Sequence, residues 1–332
     1  MRALLSRQPG GPESLTLGDI ELPPVPPRGH VRVAVRACAV NFPDVLMIAD
    51  RYQVRPPRPF APGLDVAGTV LAAGDGLADL RPGMRVMGQC RWGGMAQQAD
   101  LRAAACVRIP DALAFDVAAA MLTTYGTARY ALQECAALRA GETVLVLGAA
   151  GGVGLAAVEI AKAKGAHVVA AASSAAKTEV ALRHGAAAAV VYPTGPLDRE
   201  ATRALAGQFA AACGRGGANV VVDVVGGDYT ESALRAIAPD GRLLVVGFTA
   251  GIPMLPLNLV LLRRARVIGV AWSADLDVQS DWMRPQLREL IAHYVVGHIH
   301  PEITERYPLD QGATAIARLA ARSAVGKIVI EV

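Results

Sequence analysis

Among the 332 residues there is no C-x-x-C pair, no uncharged apolar run of about 18 residues, no block of basic residues, and only four lysines: Lys162, Lys164, Lys177 and Lys327. Each shortage closes off a class of protein. The five cysteines (Cys38, Cys90, Cys106, Cys135 and Cys213) are odd in number and far apart, which argues against a disulfide framework and against a tetrathiolate zinc lobe. They read as small apolar fillers of buried sites. Without a long uncharged apolar run no membrane partner is expected. Met1 leads straight into an alternating, strand-like run with Ala3 and Leu5, and no apolar segment follows a basic start, so the expected location is the cytoplasm. The net charge is +4 with a pI near 8.9, but the positive charge is almost all arginine and is scattered. Its tightest clusters, Arg51, Arg55 and Arg58 and then Arg263, Arg264 and Arg266, read as solvated faces, so no nucleic-acid partner is expected.

What is present points to a folded protein with large buried sheets: 53% of residues are hydrophobic and 19% charged. At about 150 residues per domain, 332 residues give two. The first third is rich in Pro and Gly. Runs at 2–5, 15–17, 30–38 and 65–72 alternate or are continuously apolar, and turns at 23–29 and 74–76 separate them, as in an irregular β domain. Near Pro110 the apolar spacing becomes helical over 111–121 and 124–140, with Thr123 or Thr124 able to cap the second helix. From Glu142 strands and helices alternate. Strands are expected at 143–147, 167–171, 188–192, 220–224, 243–247 and 267–270, and six such runs fit a doubly wound parallel sheet. Helical patterns follow at 286–295 and 312–321. An apolar strand at 327–332 closes the chain and is placed to return to the first sheet.

The strongest chemical signal is Gly148-Ala-Ala-Gly151-Gly152-Val153-Gly154, between an expected strand (143–147) and an expected helix (154–164). Helix N-terminal N–H groups approach a pyrophosphate closely only where no Cβ intervenes, which accounts for Gly151 and Gly152. Gly154 lets the helix pack on the strand. About 20 residues further on, where NAD-specific proteins carry an acid for the ribose 2′-hydroxyl, the segment Ala172-Ser173-Ser174-Ala-Ala-Lys177 has none. Nothing there repels a 2′-phosphate. Ser173 and Ser174 are able to donate hydrogen bonds, and Lys177 supplies a cation, so the cofactor expected is NADPH.

The segments Asn41-Phe-Pro-Asp44, Pro62-Gly-Leu-Asp-Val-Ala-Gly68, Leu122-Thr-Thr-Tyr-Gly-Thr127, Gly148 to Gly154, Asp223-Val-Val-Gly226, Gly247-Phe248 and Gly326-Lys-Ile-Val329 together resemble the medium-chain dehydrogenase/reductase superfamily. The resemblance is to its zinc-free, zeta-crystallin-like NADPH:quinone oxidoreductase branch and runs end to end. It implies a GroES-like, β-rich catalytic domain at 1–123, a Rossmann NADPH-binding domain at 124–271, a return to the catalytic domain at 272–332, and the cofactor in the cleft between them. It also implies a homodimer formed through the Rossmann domains. In the zinc enzymes of this superfamily a cysteine ligand matches Asn41 and a His-Glu pair matches Leu64-Asp65. Leucine has no lone pair and an asparagine carbonyl is a poor zinc ligand, so no metal site is expected. Hydride transfer without a Lewis acid favours acceptors already activated by conjugation, namely quinones and α,β-unsaturated carbonyl compounds.

The same resemblance supplies site residues. Tyr52, in Ala49-Asp-Arg-Tyr-Gln53, matches a proton-donating tyrosine of related enoyl reductases, and is equally well read as cleft lining. Asn41 and Asp44 match polar groups facing substrate and nicotinamide. For Asp44 a turn held by Asx-type hydrogen bonds is an equal reading, and Asp65 is read as structural. Thr127 and Phe248, with Gly247, match positions flanking the nicotinamide. Tyr192 joins Ser173, Ser174 and Lys177 at the 2′-phosphate, and Lys327 is placed with the cofactor-binding residues. His298 and His300, in Gly297-His-Ile-His-Pro301, alternate as on a strand and read as an exposed edge because no third ligand is near. Two other functions stay open. One is an enoyl thioester (acyl-CoA) reductase using Arg51, Arg55 or Arg58 against the coenzyme A phosphates. The other is a non-catalytic NADPH-binding structural or RNA-binding protein.

Overall fold

In the computed structural model, which describes residues 1–74, 77, 79–272 and 280–332, the chain divides into two compact units. Unit 1 is Met1–Thr123 with Asp275–Val296 and Pro301–Val332; unit 2 is Thr124–Ala274 with Gly297–His300. The turn expected at 74–76 lies partly outside the described residues.

Unit 1 opens with an antiparallel pair, β1 (Arg2–Leu5) and β2 (Thr16–Asp19). The long strand β3 (His30–Ala39) runs into a two-turn helix, α1 (Phe42–Ile48), and β4 (Asp65–Ala73) pairs antiparallel with β3. Then come β5 (Arg85–Gln89), β6 (Gln98–Arg102) and β7 (Cys106–Arg108). These three are short and mix apolar with polar residues, which hid them from a periodicity reading. Residues 111–121 and 124–140 do not form two helices. A single helix, α2 (Phe115–Arg129), runs across both and continues as a π-helix over Tyr130–Cys135. Thr123 and Thr124 therefore sit inside a helix and do not cap one: no Pro or strong stop signal breaks the segment, and the division between the units falls within it.

Unit 2 carries β8 (Thr143–Leu147), α3 (Gly152–Ala163), β9 (His167–Ala172), α4 (Ala175–Arg183), β10 (Ala188–Val191), α5 (Arg199–Cys213), β11 (Ala218–Asp223), α6 (Tyr229–Arg235), β12 (Ile237–Val245), α7 (Leu257–Arg263) and β13 (Arg266–Gly269). The six strands lie parallel in the order β10-β9-β8-β11-β12-β13. Strand order reverses at the β8–β11 step, the switch point at whose carboxyl edge such sheets bind nucleotides. Val144, Leu145, Val146 and Leu147 on β8 are all fully buried, as a central strand covered on both faces requires.

The chain then returns to unit 1 through α8 (Ser280–Val295), β14 (Ile303–Pro308), α9 (Gly312–Ala320) and β15 (Lys327–Glu331). β15 lies between β14, to which it is parallel, and β3, to which it is antiparallel, in a sheet ordered β14-β15-β3-β4-β5-β7 with β6 on β3. His298 and His300 are exposed but lie in irregular chain, not on a strand edge. The backbone N–H of His300 donates to Glu159 and does not enter a ladder.

Candidate cofactor and catalytic sites

At the carboxyl end of β8 the chain must turn at once into α3. Gly148 does so at φ +68°, a conformation that L side chains rarely adopt. Gly151 is the N-cap of α3 in an extended conformation (φ −82°, ψ 168°), and the helix starts at Gly152, two residues before the sequence reading placed it. A glycine cap has no side chain to satisfy the first N–H groups, and no side-chain cap bond is made. Those donors and the positive end of the helix dipole are thus available to an anion. A Cβ on Gly151 would lie 3.5 Å from Gly148 O, in ordinary contact, whereas one on Gly154 would lie 2.2 Å from it. Gly154 is therefore required by the fold. Gly151 is not required in this way.

The ends of the neighbouring parallel strands bring the other expected residues to the same edge. Ser173 and Ser174 follow β9. Ser174 caps α4 by accepting from Lys177 N at 3.3 Å, and its hydroxyl keeps an O–H to donate. Lys177 Nζ donates to Ser173 Oγ at 3.4 Å, which sets the cation beside the first serine. Tyr192 follows β10 and donates its backbone N–H to Ala172 O at 2.9 Å. Its ring packs on Tyr229 with centroids 4.8 Å apart, and burial pushes its phenol up to about 12. Gly247 and the half-exposed Phe248 follow β12. Thr127 is half-buried on the later part of α2, where Gly126 makes room for the Trp272 ring, which would otherwise lie 2.3 Å from a Cβ.

In unit 1 the register Ala39↔Asp65, Asp65↔Gln89 and Val329↔Ala39 gathers the ends of β3, β4, β5 and β15. The result is a buried polar network. Asn41 Nδ2 donates to Asp65 Oδ2 at 2.9 Å and to Ala39 O at 3.3 Å, while Asn41 Oδ1 accepts from Lys327 Nζ at 2.7 Å. The second Lys327 bond goes to Val40 O at 2.8 Å. Asp65 also accepts from Gln89 Nε2 (2.9 Å), Thr123 Oγ1 (2.8 Å) and Thr123 N (2.9 Å). Burial pulls the Lys327 ammonium below its ordinary value, with Asp65 and Asp44 acting the other way. Asp44, fully buried, accepts from Asn41 N at 2.7 Å and from Gly63 N at 2.8 Å. These bonds give Asp44 the turn-holding role. Burial pushes its carboxyl up to about 7 against the pull of both N–H groups. Tyr52 is half-buried and packs against the core of unit 1.

Leu64, matched to a zinc-ligand position, is buried in that core, and Asp65 spends both oxygens on protein donors. Among the described residues no group of three or more His, Cys, Asp or Glu is placed to hold a metal ion. All five cysteines are free. Burial raises four of the thiols strongly, Cys106 to about 12 and Cys213 to about 11, so none of the four is a thiolate at neutral pH.

Sequence reading missed Gln89 and Thr123 as members of this network, and the contact of Lys327 with Asn41. It also missed a second buried carboxylate, Glu159 on α3, which accepts from Tyr125 OH at 2.7 Å, contacts His184 Nδ1 at 2.6 Å and accepts from His300 N at 2.9 Å. The signal for Glu159 was available: an acid inside the apolar face Leu155-Ala-Ala-Val-Glu-Ile160 needs partners when buried.

Comparison with known proteins gives the family. An alcohol dehydrogenase GroES-like domain model matches residues 27–111, and a zinc-binding dehydrogenase model matches residues 152–291. The chain is 36% identical over 313 residues to quinone oxidoreductase-like protein 2 of Bos taurus, covering 93% of this chain and 87% of that protein. A probable oxidoreductase from Mycobacterium abscessus superposes with a TM-score of 0.86 at 34% identity, over 100% of this chain and 99% of that one. The quinone oxidoreductase of Escherichia coli, solved in complex with NADPH, superposes with a TM-score of 0.89 at 25% identity over 100% of both chains. The chain therefore belongs to the medium-chain dehydrogenase/reductase superfamily, in its zinc-free quinone oxidoreductase family.

Proposed function

We propose that this oxidoreductase delivers a hydride from NADPH to a small quinone or α,β-unsaturated carbonyl compound without zinc. The observation that carries the reading is the pairing of two features: an uncapped helix N-terminus beside a serine–lysine pair with no acid, and a buried network of Asn41, Asp65 and Lys327 bonded to one another where zinc enzymes place ligands. Gly151, Gly152, Val153 and the α3 N-terminus would hold the pyrophosphate, with Gly148 and Gly154 shaping the turn, and Ser173, Ser174, Lys177 and Tyr192 the 2′-phosphate. Thr127, Gly247 and Phe248 would flank the nicotinamide, and NADPH supplies the hydride when bound. Tyr52 is the proton donor of this reading, since a phenol is a weak acid able to protonate an enolate.

NADPH oxidation measured against a panel of small quinones, enones and enoyl-CoA thioesters tests the proposal. Saturable turnover of quinones or enones that survives a chelator is the expected result. Activity confined to enoyl-CoA, or lost to a chelator and restored by zinc, would refute it. Arg58 is already engaged with Asp50 at 2.8 Å, Ile48 O at 3.0 Å and the Phe60 ring, which weighs against its reaching a coenzyme A phosphate.

The same reading includes a homodimer through unit 2. β13 ends its sheet with its outer edge unpaired among the described strands, and α7 exposes Leu257, Leu261 and Leu262, each more than 70% accessible. It also places the protein in the cytoplasm, in keeping with five free cysteines. No helix among the described residues is long and apolar enough to cross a membrane.

A further inference from the structure

Within unit 2, the first turn of α6 forms a bracket across the carboxyl edge of the parallel sheet. Thr230 Oγ1 donates to Asp223 Oδ2 at 2.5 Å, which ties α6 to the end of β11. Asp228 Oδ2 accepts from Leu197 N at 3.0 Å, and Tyr229 OH shares its one proton between Pro193 O at 2.9 Å and Gly195 O at 3.2 Å. The turn that follows β10 is thus fastened to α6. Tyr192 enters that turn. Its backbone N–H donates to Ala172 O at 2.9 Å, which sets it beside the Ala172–Ser173 peptide at the end of β9. No backbone bond decides where its ring points. The Tyr229 ring does, with centroids 4.8 Å apart and planes tilted by 49°, and both side chains lie in the core of unit 2. Among the described residues the Tyr192 hydroxyl bonds no protein group, yet it is not walled off from solvent. Burial, with Tyr229 and Asp223 close by, keeps that phenol protonated and therefore a donor.

We infer that Tyr229 is a positioning residue for the cofactor's 2′-phosphate and acts through Tyr192. Its ring fixes the rotamer of Tyr192, so that the hydroxyl stays at the carboxyl edge, where Ser173 also stands, and donates to a phosphate oxygen. A donor held ready loses little freedom when the phosphate arrives. Without the Tyr229 face, the Tyr192 side chain has other rotamers open to it and must be ordered at the moment of binding. NADH has no 2′-phosphate and gains nothing from the arrangement. Tyr229 therefore sets cofactor preference without touching the cofactor. This inference rests on the NADPH-dependent function proposed above and deepens its 2′-phosphate site.

The test is fluorescence titration of NADPH and NADH with Tyr192→Phe, Tyr229→Leu, Tyr229→Phe, the double variant Tyr192→Phe/Tyr229→Leu, and Lys177→Ala. Tyr192→Phe should weaken NADPH about tenfold and leave NADH little changed. Tyr229→Leu should weaken NADPH by about fivefold or more and NADH by less than about twofold. In the Tyr192→Phe background the same leucine should change NADPH affinity by less than about twofold, because the hydroxyl it positions is gone. Tyr229→Phe keeps the ring and should stay within about threefold of wild type. Should the leucine variant not fold, Tyr229→Met fills the space with a flexible chain and no flat face, and carries the same expectation. Equal loss of both cofactors in Tyr229→Leu would make the residue merely structural and overturn the inference, as would full additivity in the double variant. Wild-type NADPH affinity in Tyr229→Leu, or an unchanged preference in Tyr192→Phe, overturns this inference alone when Lys177→Ala still shifts the preference. If Tyr192→Phe and Lys177→Ala both leave the ratio of NADPH to NADH affinity unchanged, the 2′-phosphate reading itself fails, and the role of Tyr229 falls with it.

Discussion

Gly151→Ala and Gly154→Ala, three residues apart in one turn, are expected to fail for opposite reasons. At Gly154 an added Cβ lies 2.2 Å from Gly148 O and 2.8 Å from Ala149 Cα. Real contacts of this kind lie near 3.4 Å, so the turn and the helix must separate by about 1 Å, and neither obstacle is a side chain that can swing away. Overpacking of that size costs about 3 kcal/mol or more, which for a unit of this size lowers Tm by about 6–12 °C. At Gly151 the backbone is extended and the nearest atom to a Cβ is 3.5 Å away, so the fold accommodates alanine. Losing a glycine N-cap costs about 0.5–1 kcal/mol and moves Tm by only a few degrees. If a pyrophosphate approaches this backbone, however, the new methyl stands in its path, and NADPH affinity should fall by tenfold or more, about 1.4 kcal/mol. Thermal unfolding and NADPH fluorescence titration on both variants separate the two effects. Gly151→Ala binding NADPH as tightly as wild type would refute the assignment of the α3 N-terminus to the pyrophosphate. A Gly154→Ala protein of unchanged stability would show that the Gly148 turn is not rigid.

The 2′-phosphate assignment is checked by Lys177→Ala, which removes a charge-assisted contact of about 1.5–3 kcal/mol and should weaken NADPH about tenfold or more with NADH little changed. Equal loss for both cofactors would dismiss it, and Ser173→Asp should shift preference towards NADH. Tyr52→Phe should lower turnover on an enone by about 10²-fold with NADPH affinity nearly unchanged, and unaltered turnover would leave solvent or another group as the donor. Val267→Lys, on the outer strand β13, should yield monomers in sedimentation or size-exclusion experiments, whereas an intact dimer would place the interface elsewhere. Asp44 predicts a pH effect. Its carboxyl is raised by burial to about 7, so its contribution to stability is complete below the unfolded value near 4 and is lost as pH rises through about 7. Chemical denaturation from pH 5 to 8 should therefore show falling stability in the wild type and a flatter profile in Asp44→Asn. Identical slopes in the two proteins would remove Asp44 as the cause.

Features that depend on neighbouring residues in the chain were legible from the sequence alone. The Rossmann sheet could be read because each central strand is a local apolar run and each turn has local chemistry: Thr143–Leu147 followed by Gly148, and His167–Ala172 followed by two serines and no acid. The strands β5, β6 and β7 were not legible, because Arg85–Gln89, Gln98–Arg102 and Cys106–Arg108 gain their β character from the neighbours they pair with. The capping of α2 was misread for a related reason. Two threonines in tandem look like a helix start, and only tertiary packing carried one helix through them. The sequence marked Asn41, Asp65 and Lys327 one at a time through family resemblance, without indicating what joined them. Lys327 lies 286 residues from Asn41 and is brought to it by the antiparallel pairing of β15 with β3. Burial then decided the chemistry, because a lysine, an asparagine and a carboxylate removed from water have to bond to one another.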